Sequence, residues 1–165
     1  MKKLQKLQPV IRAPQPGDMG KVVALHGALY AAEYGWDARF EAMVARVAAD
    51  FIDHFDATCE RAWIVELRGE VVGSVLVVKK SKRVAKLRLL ILHPSARGHG
   101  LGVKLTAACE AFAREAGYRK MVLWTNSVLF AARLIYERAG YRLTASEPHR
   151  SFGVELVGET WEKWL

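Results

Sequence analysis

The segment Leu92-His93-Pro94-Ser95-Ala96-Arg97-Gly98-His99-Gly100-Leu101-Gly102 constrains the fold of this chain more than any other. An apolar, strand-like run (Leu87 to Leu92) leads into it, and a strongly amphipathic helix leads out. Gly98, Gly100 and Gly102 stand at alternate positions where that helix begins, leaving the backbone there free of Cβ atoms. The turn's N–H groups can therefore come close to a ligand, and the helix N-terminus adds unpaired donors and partial positive charge. Arg97 contributes a cation that forks onto phosphate oxygens. Together these features make an anion site suited to a phosphate or pyrophosphate. The plainer reading is a Gly-rich strand-to-helix turn with no ligand.

Two common phosphate loops do not fit. A dinucleotide fingerprint needs G-x-G-x-x-G followed by an acidic residue, and a P-loop needs G-x-x-x-x-G-K-[ST]. Here the order is G-x-G-x-G behind an arginine, and Gly98 to Lys104 supplies no P-loop. The arrangement Arg97-x-x-Gly100-x-Gly102 instead resembles the acetyl-CoA pyrophosphate loop of the GNAT N-acetyltransferase superfamily. Leu123-Trp124-Thr125-Asn126 and then Ala132-Arg133-Leu134-Ile135-Tyr136-Glu137-Arg138-Ala139-Gly140-Tyr141 look like its second signature. That signature is a strand ending in Asn, a helix ending in Tyr-Glu and a Gly-aromatic exit. The likeness runs from about Ile11 to the C-terminus. More narrowly, Arg97 to Tyr141, the tail Glu147 to Gly153 and Trp161 resemble the acetyltransferase half of bacterial proteins in which a MarR-type winged-helix domain precedes the transferase. No DNA-binding half is present in these 165 residues.

The order of elements reads as α/β. Val10 to Ala13 is a short strand, and Asp18 caps a helix to about Tyr34 with Met19, Val22, His26, Leu29 and Tyr30 on one stripe. His26 there reads as a core histidine rather than a catalytic base. A second helix runs from Asp37 to about Phe55, with Phe40, Val44, Val47, Phe51 and Phe55 inward. Ala62 to Leu67 and Val71 to Val78 form a hairpin around Arg68-Gly69-Glu70. Strand Val84 to Leu92, helix Gly100 to Ala116, strand Lys120 to Thr125, a helix to about Ala139, and strands Tyr141 to Ala145 and Thr160 to Leu165 follow. Residues 1–165 read as one N-acetyltransferase domain, with 1–9 a basic, flexible start. The resemblance implies a mixed, twisted sheet of about seven strands with helices on both faces. It also implies that the two central strands splay apart.

A formal charge of +8 favours anionic partners, CoA or nucleic acid alike. The basic residues are spread, however, and no aromatic ladder or groove-reading element accompanies them, so direct nucleic-acid binding is not expected. Cys59 and Cys109 make no disulfide framework or metal set, which fits a reducing cytoplasm without a metal. Met1 to Lys6 lacks the apolar core of a signal peptide. Val71 to Val78 is too short to span a bilayer. Monomer and homodimer both remain open.

The resemblance implies that acetyl-CoA is held by Arg97, Gly98, His99, Gly100, Leu101 and Gly102, by the backbone of Leu90 and Leu92, and by Asn126 and Arg133. It places Tyr136 as the acid that protonates the departing sulfur, a core tyrosine being the competing reading. Asn126 could equally cap the next helix. Many family members carry a carboxylate on the central strand to deprotonate the amine. Here the alternate positions are Lys86 and Arg88, placed by two-residue periodicity on the same face as Leu90 and Leu92. No Asp or Glu occurs between Glu70 and Glu110. Water, His149, His93 or Glu33 must then serve as base, unless the amine arrives neutral. The resemblance implies an acceptor site at the junction of the first two helices, with Tyr30, Glu33 and Trp36 above Lys86 and Arg88. This favours a small amine or amino-acid-like acceptor. A protein N-acetyltransferase and a catalytically silent acyl-CoA-sensing module are the alternatives.

Overall fold

A computed structural model describes residues 8–165. The expectation of a flexible basic start therefore lies almost wholly outside the described residues. The chain runs β1 (Val10–Arg12), α1 (Asp18–Tyr34), α2 (Ala38–Asp53), β2 (Arg61–Leu67), β3 (Glu70–Lys79) and β4 (Val84–Leu92). A short 3-10 turn (Pro94–Ala96) leads to α3 (Leu101–Glu115), β5 (Lys120–Asn126), α4 (Phe130–Arg138), β6 (Arg142–Ser151) and β7 (Val154–Trp164). One seven-stranded sheet has the order β1-β2-β3-β4-β5-β7-β6. Only β4 and β5 pair in parallel; every other neighbour is antiparallel.

Burial divides the helices between the two faces. Leu101, Leu105, Cys109 and Phe112 of α3 and Tyr136 of α4 pack with Val75, Val77, Ala85 and Leu87. On the other face, Met19, Ala48 and Phe51 meet Ala62 and Leu76. Helix α2 stops at Asp53, two residues short of the expected end, so Phe55 is half exposed rather than inward. Asp18 does not cap α1. It is buried just inside the helix, accepting from Gln15 N–H (2.6 Å) and pairing with Arg12 of β1 at 2.6 Å.

Two features depart from simple alternation. Leu89 has a left-handed φ of 51°, and the β3–β4 register slips by one residue between Ser74 and Leu76. This bulge carries an extra residue on β4, and the Ser74 hydroxyl donates to the Leu89 carbonyl at 2.8 Å. Lys86 and Arg88 consequently face the α1–α2 side, while Leu90 and Leu92 pack on the α3–α4 side. The expectation that all four share a face is corrected by that single inserted residue. Second, the two short terminal strands are one long hairpin, β6 and β7, joined through Phe152 (φ 56°) and Gly153 (φ 81°). Both central residues of the turn being left-handed matches the twist of its strands. Pro148 is accommodated because β6 is the sheet edge. The hairpin tip docks on the α1–α2 junction, where Phe152 packs 5.2 Å from both Trp36 and Phe40 and its carbonyl accepts from Asp37 N–H.

Candidate active site

The site begins where two parallel strands part. β4 and β5 pair only over Val84–Lys86 and Lys120–Val122. Beyond Lys86, β4 continues to Leu92 with its β5-facing edge unpaired, which leaves backbone groups seeking partners. A groove of about 290 Å³ passes through this gap. Leu90, Ala132 and Tyr136 line it from the α3–α4 side; His26, Tyr30, Trp36, Lys86 and Arg88 line it from the other. A wider hollow of about 730 Å³ lies elsewhere, lined by Val72, His93, Ser95 and His99 among others. It contains neither the strand gap nor Tyr136.

At the mouth of the gap, Gly98 (φ 78°) and Gly100 (φ 70°) adopt left-handed backbone, and nothing lies within 4 Å of where their Cβ atoms would stand. This open cradle ends at the α3 N-terminus, with Gly100 as the capping position and Leu101 buried beneath. The residues fit a pyrophosphate: free N–H donors, a helix N-terminus and Arg97 beside them. Gly102 has a different reason for its missing side chain. A Cβ there would stand 2.6 Å from Ile135 Cδ1, so Gly102 lets α3 and α4 approach. His99 points its contacts to the wider hollow, apart from the groove. Arg133 is engaged by the protein, its Nε 2.9 Å from the buried Glu159.

Tyr136 is buried, and desolvation holds its phenol above the ordinary tyrosine range, so it stays protonated. Lys86 and Arg88 are half-buried with no ion-pair partner among the described residues, and desolvation lowers both below their usual values. Two partnerless cations on a groove floor favour an anionic guest. Tyr30 packs 4.6 Å from Phe40 and 5.0 Å from Trp36, making an aromatic wall.

The three protein bases offered by the sequence, and His26, are placed unequally. Glu33 does not line the groove; its Oε1 lies 2.9 Å from Arg97 Nη1. His149 has both ring nitrogens engaged, by Asn126 Oδ1 (2.8 Å) and Ser151 Oγ (2.9 Å). His93 lines the wider hollow and bonds Ser95. His26, set aside as core, is buried but lines the groove. Burial pushes it down to about 4, so it is neutral near pH 7. Trp124, given no site role from the sequence, also lines the groove and lies 5.5 Å from His149 with the rings tilted. An exposed tryptophan on a strand was the available signal. Asn126 is buried at the groove wall, held by His149. Among the described residues no group of three or more His, Cys, Asp or Glu is placed to hold a metal. No described helix is long and apolar enough to cross a membrane.

The sequence pattern of the acetyltransferase (GNAT) family matches residues 28–141. The chain belongs to that family. It is 33% identical over 82 residues to the N-acetyltransferase YjgM of Escherichia coli (strain K12), a match covering 48% of this chain and 49% of YjgM. It is 32% identical over 81 residues to the N-acetylaspartate synthetase of Danio rerio, covering 48% of this chain and 29% of that protein. The chain thus spans about half or less of these curated relatives. Among solved structures, yncA of Salmonella typhimurium, determined with acetyl-CoA, superposes with a TM-score of 0.73 over 95% of this chain and 94% of its own at 20% identity. That likeness is one of fold: an α/β sheet of seven strands with a splayed central pair.

Proposed function

We propose that this chain is an acetyl-CoA-dependent N-acetyltransferase that acylates a small, anionic, amino-acid-like amine by direct attack. The observation that carries the reading is the groove through the β4–β5 gap. It brings Tyr136 and Leu90 on one side together with Lys86 and Arg88 on the other, and the Gly98–Gly100 cradle follows directly after the strand that forms its edge. Acetyl-CoA supplies the acetyl thioester. Arg97, Gly98, Gly100 and the α3 N-terminus hold its pyrophosphate, and the β5-facing edge of β4 at Leu90 and Leu92 supports its arm, the Leu92 carbonyl being shared with Arg97 Nε. Lys86 and Arg88 hold the acceptor's anionic group while the wall of Tyr30, Trp36 and Phe40 encloses its body. The Tyr136 hydroxyl donates its proton to the departing sulfur, a role suited to a phenol kept protonated by burial.

The zebrafish relative's name, a synthetase of an acetylated acidic amino acid, agrees with that acceptor class. The finer likeness to acetyltransferase halves of MarR-type proteins rests on Arg97 to Tyr141 and the Glu147–Gly153 tail. A single domain, a cytoplasmic location, and action as monomer or homodimer belong to the same proposal.

The test is a thiol-release assay with acetyl-CoA across neutral amines, amino acids, acidic amino acids and lysine peptides. We expect the highest kcat/KM for free amino acids with an additional anionic group. Efficient acetylation of peptides with no turnover of free amino acids overturns the acceptor assignment.

A further inference from the structure

The family's usual carboxylate is missing from β4, and among the described residues no Asp or Glu lines the groove at all. We infer that His26 of α1 is the group that takes the proton from the attacking amine, an inference that rests on the transferase reading above. Three observations carry it. His26 Nδ1 lies 2.8 Å from the Val22 carbonyl, which can only accept. In the neutral ring Nδ1 therefore carries the hydrogen, and the lone pair is fixed on Nε2. Nε2, on the ring edge away from the helix backbone, has no hydrogen-bond partner among the described residues. The residue is 2% exposed, and the groove is what its side chain borders. The ring is held by Tyr30, stacked at 6.0 Å with planes 5° apart, and by Phe40 at 6.2 Å. A backbone-anchored tautomer with a free acceptor at the wall of a reaction groove is a built proton acceptor.

The titratable groups sharing the groove are Tyr30 on the same helix, Lys86 and Arg88 from β4, and Tyr136 from α4. Burial opposes a charged imidazole more than the Val22 carbonyl favours it, which suits brief protonation rather than storage. The amine nitrogen forms its bond to the acetyl carbon and becomes cationic. His26 Nε2 accepts one N–H proton as that positive charge is lost. The C–S bond breaks with its electron pair on sulfur, and sulfur takes the Tyr136 proton. Tyr136 then recovers the proton from His26 through groove water, leaving amide and free thiol. No oxidant or other reactant is needed.

His26→Asn keeps a donor near the Val22 carbonyl but removes Nε2; His26→Ala opens room for added imidazole. With acetyl-CoA and the best free amine of the acceptor panel, we expect His26→Asn to lower kcat about a hundredfold. The KM for acetyl-CoA should stay within twofold. Imidazole should restore turnover of His26→Ala in a saturable way, which a purely structural histidine would not show. A His26→Asn variant with wild-type kcat overturns the inference, as does a folded His26→Ala that imidazole leaves unchanged. If the wild-type chain itself releases no thiol with any amine, the transferase reading fails first and takes this inference with it. An active wild type with an equally active His26→Asn removes this inference alone.

Discussion

Deleting the Arg97 guanidinium isolates its share of cofactor binding. In the free chain the group is held twice, by Glu33 Oε1 at 2.9 Å from Nη1 and by the Leu92 carbonyl at 2.9 Å from Nε. Its side chain is 46% exposed, so the pairing with Glu33 contributes no more than about 1 kcal/mol to stability. Contacts to a pyrophosphate are charge-assisted on both sides, each about 1.5–3 kcal/mol. That range corresponds to roughly 10- to 150-fold in Kd. Arg97→Ala should therefore weaken acetyl-CoA binding by that factor in titration calorimetry while Tm moves by only about 2–4 °C. Glu33→Gln should act in the opposite sense. It removes a carboxylate that competes with phosphate for Arg97, tightening binding by up to about fivefold, the equivalent of about 1 kcal/mol. Added salt should shrink both effects. Affinity unchanged in both folded variants refutes the reasoning, and the Gly-rich turn is then structural.

Tyr136→Phe keeps the buried ring and removes the acid, so kcat should fall about 10²–10⁴-fold with acetyl-CoA affinity retained; steady-state kinetics with wild-type turnover would sink the assignment. Replacing Lys86 and Arg88 together by Met should raise KM for an anionic amine at least tenfold while leaving acetyl-CoA binding unmoved. Equal KM values would place the anion elsewhere. Stability should decline on acidification. His26 drops from 6.5 to about 4 on folding, so the unfolded chain binds the extra proton between those values. The penalty grows as pH falls through that window and reaches about 3 kcal/mol below it. Asp18 adds in the same direction: Arg12 holds its carboxyl below the ordinary value, and the benefit is lost as pH falls through the folded-state value. Urea titrations at several pH values should show the first slope vanish in His26→Asn.

Periodicity and punctuation were enough to locate nine of the helices and strands to within a few residues, because each carries its own stripe, cap or turn. The cradle was equally local: Arg97, Gly98 and Gly100 are neighbours in sequence and in space. The failures were of another kind. Leu89 enters a left-handed conformation without being glycine, so nothing in Lys86 to Leu92 marks the slip of face. The β6–β7 hairpin escaped because its turn residue Phe152 is an aromatic secured by Trp36 and Phe40, more than a hundred positions away. His26 sits on a correct apolar stripe, yet a stripe says which side of a helix is inward. It does not say that inward here means a gap between strands. Glu33 and Arg97 meet for the same long-range reason.

The extra residue at Leu89 gives one strand two phases. Positions 86 and 88 face the side on which the acceptor is proposed to sit, whereas 90 and 92 face the opposite side of the sheet, where the thioester would lie. A change of acceptor can therefore be written into Lys86 and Arg88 without disturbing the half that handles the common donor. Shortening the strand by one residue would exchange the two messages. The Ser74–Leu89 hydrogen bond at 2.8 Å is thus a frame marker, keeping positions 86 and 88 and positions 90 and 92 in separate registers.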